Sequence, residues 1–254
     1  CGAWRHRHGR ISTIWSRASA PVDDPAAKYL YLRGAGRTGL QPYGASEVLG
    51  RSLLERRELV LVEGLLDVHH FRARGVFNVV ALGGTSTRSS AFEALAGLGV
   101  STVTVCLDRD RPGRAATARI VDRAAAAARS PAILVLDANH LAPSKDPDEF
   151  LREHGPDAWL KLLGTRECGI AWRAVELLES VMPDSNAPAR RAALSRAGAW
   201  LGRLPARLAV EQEDAVRMVA ERCGYSPEAV ERAFRARFWV EQRRPEQADV
   251  GRAL

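Results

Sequence analysis

The chain has 254 residues, of which 46% are hydrophobic and 26% charged, proportions that exclude collagen-like, coiled-coil and fully disordered architectures. Its unbroken apolar runs, such as those at 59–62 and 132–136, fall far short of the ~20 residues a membrane-spanning helix needs, and no signal-peptide pattern opens the chain. A formal net charge of +7 and an isoelectric point near 9.7 point to a polyanionic partner.

The charge is unevenly spread. Residues 1–58 carry ten basic and five acidic side chains, 59–155 carry eleven of each, and 156–254 carry sixteen and fourteen. Only three of the 37 basic residues are lysines, in an alanine-rich chain, a bias that a GC-rich genome also produces. Cys1, Cys106, Cys168 and Cys223 lie far apart without C-x-x-C spacing, so neither a zinc site nor a disulfide framework is expected, and the compartment reads as reducing. Because the first residue is Cys1 and not Met, the expectation is a piece of a longer protein.

In chain order, residues 1–58 contain two short β-like runs, 10–15 (RISTIW) and 28–32 (KYLYL), between turn residues. Aromatic and basic residues interleave there (Trp4, Arg5, His6, Arg7, His8, Trp15, Arg17), as suits a small basic α+β subdomain that binds single strands. Between 59 and 155, apolar runs at 59–63, 78–82, 102–107 and 132–136 predict strands. Amphipathic stretches at 65–74, 88–98 and 114–129 predict helices, and a short helix is expected at 147–154. Continuous apolar strands alternating with helices predict an α/β domain whose parallel sheet is covered on both faces. From 156 to 242 no strand pattern appears. Spacing near 3.6 predicts a bundle of helices at 170–182, 190–204, 210–223 and 227–239, the last capped by Ser226 with Pro227 at its first position. Residues 243–254 read as a frayed tail.

In open parallel sheets chemistry collects beyond the carboxyl ends of the strands. Glu63-Gly64-Leu65-Leu66-Asp67 follows the first strand, Gly83-Gly84-Thr85-Ser86-Thr87 the second, Asp108-Arg109-Asp110 the third, and Lys145-Asp146-Pro147-Asp148-Glu149 comes after the fourth. Six carboxylates (Glu63, Asp67, Asp108, Asp110, Asp146, Asp148) are thereby directed to one rim, and a small-residue loop offers backbone amides to a phosphate. Such crowding is unfavourable unless cations neutralise it. Hard oxygen donors in incomplete shells suit Mg²⁺ or Mn²⁺, and two such ions serve nucleotidyl or phosphodiester transfer. Each piece alone also reads structurally: Glu63 and Asp67 as acids favoured at a helix start, and Asp146 to Glu149 as an N-cap with first-turn acids.

These residues resemble the Toprim domain, and more narrowly the catalytic core of bacterial-type (DnaG-like) primases. Residues 63–68 (EGLLDV) are similar to the first Toprim motif, 107–116 (LDRDRPGRAA) to the second, and 145–151 (KDPDEFL) to the third primase motif. Residues 80–86 (VALGGTS) resemble the primase V-A-x-x-G-T-S segment. Upstream, 9–17 (GRISTIWSR), 28–32 and Pro42-Tyr43-Gly44 resemble the basic subdomain that precedes Toprim in these enzymes, and the helical tail resembles the subdomain that follows. The resemblance implies a nucleotidyltransferase that makes RNA primers on a single-stranded DNA template from nucleoside triphosphates. It implies a catalytic set of Glu63, Asp67, Asp108 and Asp110. Glu63, Asp108, Asp110 and Asp148 would hold two or more Mg²⁺ or Mn²⁺ ions, and Asp146 would be a supporting acid. Arg17, Lys28, Gly84, Thr85 and Arg109 would bind nucleic acid or nucleotide. Expected location is the bacterial cytosol or nucleoid, with no membrane partner, and a replicative helicase would engage a domain beyond this chain.

Two departures stand out. Arg109 replaces the usual glycine between the two aspartates, and Arg111-Pro112 precedes Gly113. The KYLYL wording is closer to phage or mobile-element primases than to the usual KYLNS. A Toprim nuclease would use the same acids, and a non-catalytic nucleic-acid-binding module would result if Arg109 displaced metal. A type IA topoisomerase would need a tyrosine nucleophile that no tyrosine context suggests, and a haloacid-dehalogenase-like phosphatase would have no use for Glu63.

Overall fold

The computed structural model describes residues 1–5, 10–18, 29–32, 42–49, 57–82, 88–178 and 186–242. The chain divides into two compact units, Cys1–Glu167 and Cys168–Leu254.

The first unit opens with a three-stranded antiparallel sheet, β1 (Gly2–Arg5), β2 (Ile11–Arg17) and β3 (Tyr29–Tyr31), in that spatial order. After a short helix α1 (Ala45–Leu49) comes the α/β part. Strands β4 (Glu58–Val62), β5 (Val79–Ala81), β6 (Thr102–Val105), β7 (Ala132–Val135) and β8 (Glu167–Cys168) form a sheet in the order β5-β4-β6-β7-β8. Pairings of β4 with β5, β4 with β6 and β6 with β7 are all parallel. Helices α2 (Leu65–Ala73), α3 (Ser89–Gly97) and α4 (Arg111–Ala126) make the crossovers, and α5 (Pro147–Leu163) follows β7.

Burial on both faces explains the unbroken apolar strands. Side chains alternate across a strand. Val60 and Val62 of β4 therefore join Leu65, Phe71, Leu151 and Trp159, whereas Leu59 and Leu61 join Phe92, Val103, Val105 and Ile120 on the opposite face. The N-terminal aromatics belong to the first of these clusters: Trp4, Trp15 and Tyr43 pack with Val60, Leu65 and Phe71. Tyr43 meets Trp4 and Trp15 edge-on, each at 5.6 Å. It exchanges backbone hydrogen bonds with Ala81 of β5, and its hydroxyl lies 2.7 Å from His69 Nε2. Residues expected as a separate basic subdomain thus share a core with the parallel sheet.

The helix expected at 147–154 does end there, because Gly155 leaves the helical range, and the span α5 is two helical segments joined at a kink. Gly155, at φ +79°, and Pro156 kink the chain, after which it continues to Leu163. The continuation is held by Trp159, which is fully buried and edge-on to Phe71 at 4.9 Å. The short strand Glu167–Cys168 also appears where no strand pattern is legible.

The second unit is helical: α6 (Gly169–Glu176), α7 (Ala187–Leu201), α8 (Ala209–Cys223) and α9 (Pro227–Gln242). Helix α7 begins three residues earlier than expected because Asn186 Oδ1 caps it, accepting from Ala189 N at 3.0 Å. Ser226 Oγ accepts from Ala229 N at 3.3 Å at the start of α9. A side chain at Gly198 of α7 would strike the Phe234 ring of α9 at 2.6 Å, so the absent Cβ sets how closely these helices pack. Among the described residues no helix is long and apolar enough to cross a membrane.

Candidate active site

Local geometry after β4, after β6 and before α5 follows from small residues and caps. Glu63 stands exposed directly after β4. Asp67 folds back so that its Oδ2 accepts from Gly64 N at 3.1 Å, and a Cβ at Gly64 would collide with that carboxylate at 2.6 Å. After β6, the loop carrying Asp108 and Asp110 turns so tightly that a Cβ at Gly113 would lie 2.2 Å from the Asp108 carbonyl oxygen. Asp110 Oδ1 accepts from Gly113 N at 2.7 Å and caps α4, so that helix starts at Arg111, ahead of the expected 114. Arg109 N donates to Lys145 O at 2.8 Å, tying this loop to the one that precedes α5. There Asp146 Oδ1 accepts from Glu149 N at 2.7 Å and caps α5, with Asp148 in its first turn. The capping role open to Asp146 from sequence is therefore real, and Asp110 has one as well.

These acids interact. Asp108 has its carboxyl pushed up to about 7, first by burial and then by Glu63, Asp67, Asp146 and Asp110. Asp67 is raised by burial and by Asp148 and Asp146, against a hydrogen bond from Gly64 and the His70 imidazole, which lower it. Each of the six carboxylates is thus coupled to the others through Asp108 or Asp67. Asp148 Oδ2 is 2.9 Å from His70 Nδ1, while its Oδ1 is buried with no hydrogen-bond partner among the described residues.

Among the described residues, no group of three or more His, Cys, Asp or Glu side chains is placed so that it could hold a metal ion. By the chemistry of its donors alone, the acidic set suits a hard divalent ion. All six groups are carboxylates, burial and then the neighbouring acids push Asp108 up to about 7, and one buried oxygen of Asp148 lacks a donor among the described residues. A cation remedies all of this at once.

On the N-terminal sheet, the Arg17 guanidinium sits 6.0 Å from the centroid of the Tyr29 ring. The Tyr29 hydroxyl is raised by burial and by Asp67 and Asp108, with Arg17 acting the other way, which puts this strand end in electrostatic reach of the acids. Arg109 is exposed. Its charge acts with Lys145 and Arg152 on Glu149, whose carboxyl is held low first by a hydrogen bond from Lys145 N. Lys28, Gly84 and Thr85 lie outside the described residues. Sequence reasoning missed His70 and Tyr29 as site residues. For His70 the signal was its spacing: three residues after Asp67, it shares a helical face with that acid.

A parallel sheet with acids at successive strand ends defines a Toprim-like α/β domain, and residues 60–151 match the Toprim-like family. The curated proteins and solved structures to which the chain is similar are DNA primases. A curated relative, the DNA primase of Clostridium acetobutylicum, is 28% identical over 162 residues, covering 63% of this chain and 26% of the relative. A DNA primase domain from Pseudomonas aeruginosa superposes with a TM-score of 0.72 at 24% identity, over 92% of this chain and 70% of that one. A DnaG primase catalytic domain solved bound to ssDNA does so with a TM-score of 0.69 at 23% identity, over 89% and 69%. The match spans about a quarter of the length of the curated relative.

Proposed function

We propose that this chain is the catalytic core of a primase, which extends RNA primers on single-stranded DNA by metal-dependent nucleotidyl transfer. The observation that carries the reading is the mutual repulsion of carboxylates from successive strand ends, with Asp108 driven to about 7 beside them. Glu63, Asp108, Asp110 and Asp148 would hold two or more Mg²⁺ or Mn²⁺ ions, with Asp67 and Asp146 as supporting acids. Bound there, divalent ions would offset the negative charge of the triphosphate and of the attacking 3′-hydroxyl. Glu63, exposed at the end of β4, would accept the hydroxyl proton or orient a metal ligand. Asp110 and Asp146, fixed as helix caps, would keep two loops in register so that Asp108 does not drift. Arg17, stacked on Tyr29, and Lys28 would hold the template–primer backbone. Arg109, with Gly84 and Thr85, would contact the incoming phosphates. The DNA-bound relative supports a single-stranded template as partner. A replicative helicase as a further partner, and location in the cytosol or nucleoid, belong to the same reading.

The test is synthesis on single-stranded DNA with labelled nucleotides and Mn²⁺, with and without a supplied primer. Labelled oligomers that disappear in Glu63→Gln are expected. Cleavage of the DNA without synthesis would instead identify a nuclease, and neither product, with no cation uptake, a non-catalytic binding module.

A further inference from the structure

The imidazole of His70 has no role in the reading above. Helix α2 carries Asp67 and His70 one turn apart on the same face, so both side chains reach the acidic rim from one rigid element. His70 Nδ1 lies 2.9 Å from Asp148 Oδ2, a residue 78 positions away on a different helix. About half of the His70 side chain is exposed, but only 15% of that of Asp148. The two oxygens of Asp148 therefore stand in unlike settings: Oδ2 is held by the imidazole, and Oδ1 is buried without a partner among the described residues. With one oxygen fixed, rotation of the carboxylate is blocked and the other oxygen has a defined direction.

We propose that His70 is a positioning residue for the divalent ion, acting through Asp148: its Nδ1–H donates to Oδ2 and leaves Oδ1 as the metal-binding oxygen. This inference rests on the metal-site reading proposed above. Carboxylates that bind metal are commonly oriented by such an outer hydrogen bond, and loss of the orienting partner weakens metal binding by about 10–100-fold. The imidazole ring itself stays outside the coordination shell.

Mn²⁺ titration by calorimetry on the full chain tests this, with electron spin-echo spectroscopy of the bound ion and a thermal melt of each variant. His70→Ala is expected to weaken Mn²⁺ binding about tenfold with an unchanged melt, since the side chain is half exposed and alanine suits a helix. His70→Asn, whose amide N–H reaches the position of Nδ1, should recover most of the loss. In an Asp148→Ala background, His70→Ala should have no further effect. The spin-echo signal should lack nitrogen modulation. Equal binding by wild type and His70→Ala would overturn the inference alone, while leaving the metal site standing. Nitrogen modulation would overturn it too, because His70 would then be a ligand. If wild type takes up no Mn²⁺ at all, this inference and the metal-site reading fall together.

Discussion

The two ends of the parallel sheet treat charge in opposite ways. At the amino end Glu58 opens β4, and Arg166 Nη1 reaches Glu58 Oε2 at 3.3 Å and Thr104 Oγ1 at 3.2 Å. The half-buried acid there has its cation in the chain itself. At the carboxyl end the groups that act on Asp108 are Glu63, Asp67, Asp146 and Asp110, every one an acid. Arg109, adjacent in sequence, directs its charge at Glu149. Sequences are locally consistent except where function demands otherwise. An acid paired at one end and a cluster left repelling at the other is the contrast on which the proposed metal site rests.

The sharpest way to break this comparison is to remove the acid on which the repulsion converges. Asp108→Ala should abolish Mn²⁺ uptake and lower primer extension on the order of 100-fold or more, the scale on which loss of an electrostatic stabiliser acts. Arg166→Met should leave both unchanged. If the two variants behave alike in titration and extension assays, the ends are not functionally distinct.

Stability should move the other way. A carboxyl raised from 3.8 to about 7 in the folded state binds protons more tightly there than in the unfolded chain, so its ionisation opposes folding. That penalty is absent below pH ~4, grows as pH rises through 7, and is constant above. In EDTA, Asp108→Asn should therefore be more stable than wild type at pH 8, by ~1–2 kcal/mol after discounting for the solvent on its open side, and should lose the advantage by pH 4. Urea midpoints at the two pH values measure it. At the amino end the sign reverses: Arg166→Met should destabilise by ~1 kcal/mol at pH 7, because Glu58 loses a charged hydrogen bond that is partly screened.

The same contrast governs what could be read from sequence. The strands were legible because burial on two faces leaves few polar positions, as Val60 and Leu61 show by pointing into opposite clusters. The acids were legible because each closes an apolar run. The break in α5 was legible too, in Gly155 and Pro156, but the helical segment after it was not, since it is held by the long-range burial of Trp159 against Phe71. Nor was the pairing of His70 with Asp148, which depends on how α2 and α5 meet, a relation no local spacing encodes. The shared core of Trp4, Trp15 and Tyr43 with the α/β sheet was hidden for the same reason.

The finest division lies within Asp146, which both caps α5 and belongs to the acidic rim. Two substitutions separate these roles. Asparagine caps as well as aspartate but carries no charge, whereas alanine does neither, and loss of a cap costs ~1 kcal/mol. In EDTA, Asp146→Asn should therefore stay within about 0.5 kcal/mol of wild type, because relief of repulsion offsets the weakened attraction to the helix dipole. Asp146→Ala should fall below Asp146→Asn by ~1 kcal/mol. Mn²⁺ affinity should rank them differently: both variants lose the same charge, so both should weaken binding to a similar degree, and by less than Asp108→Ala. If Asp146→Ala alone lost affinity, the cap and not the charge would be what Asp146 contributes to the rim, and the repelling cluster would shrink to the acids around Asp108.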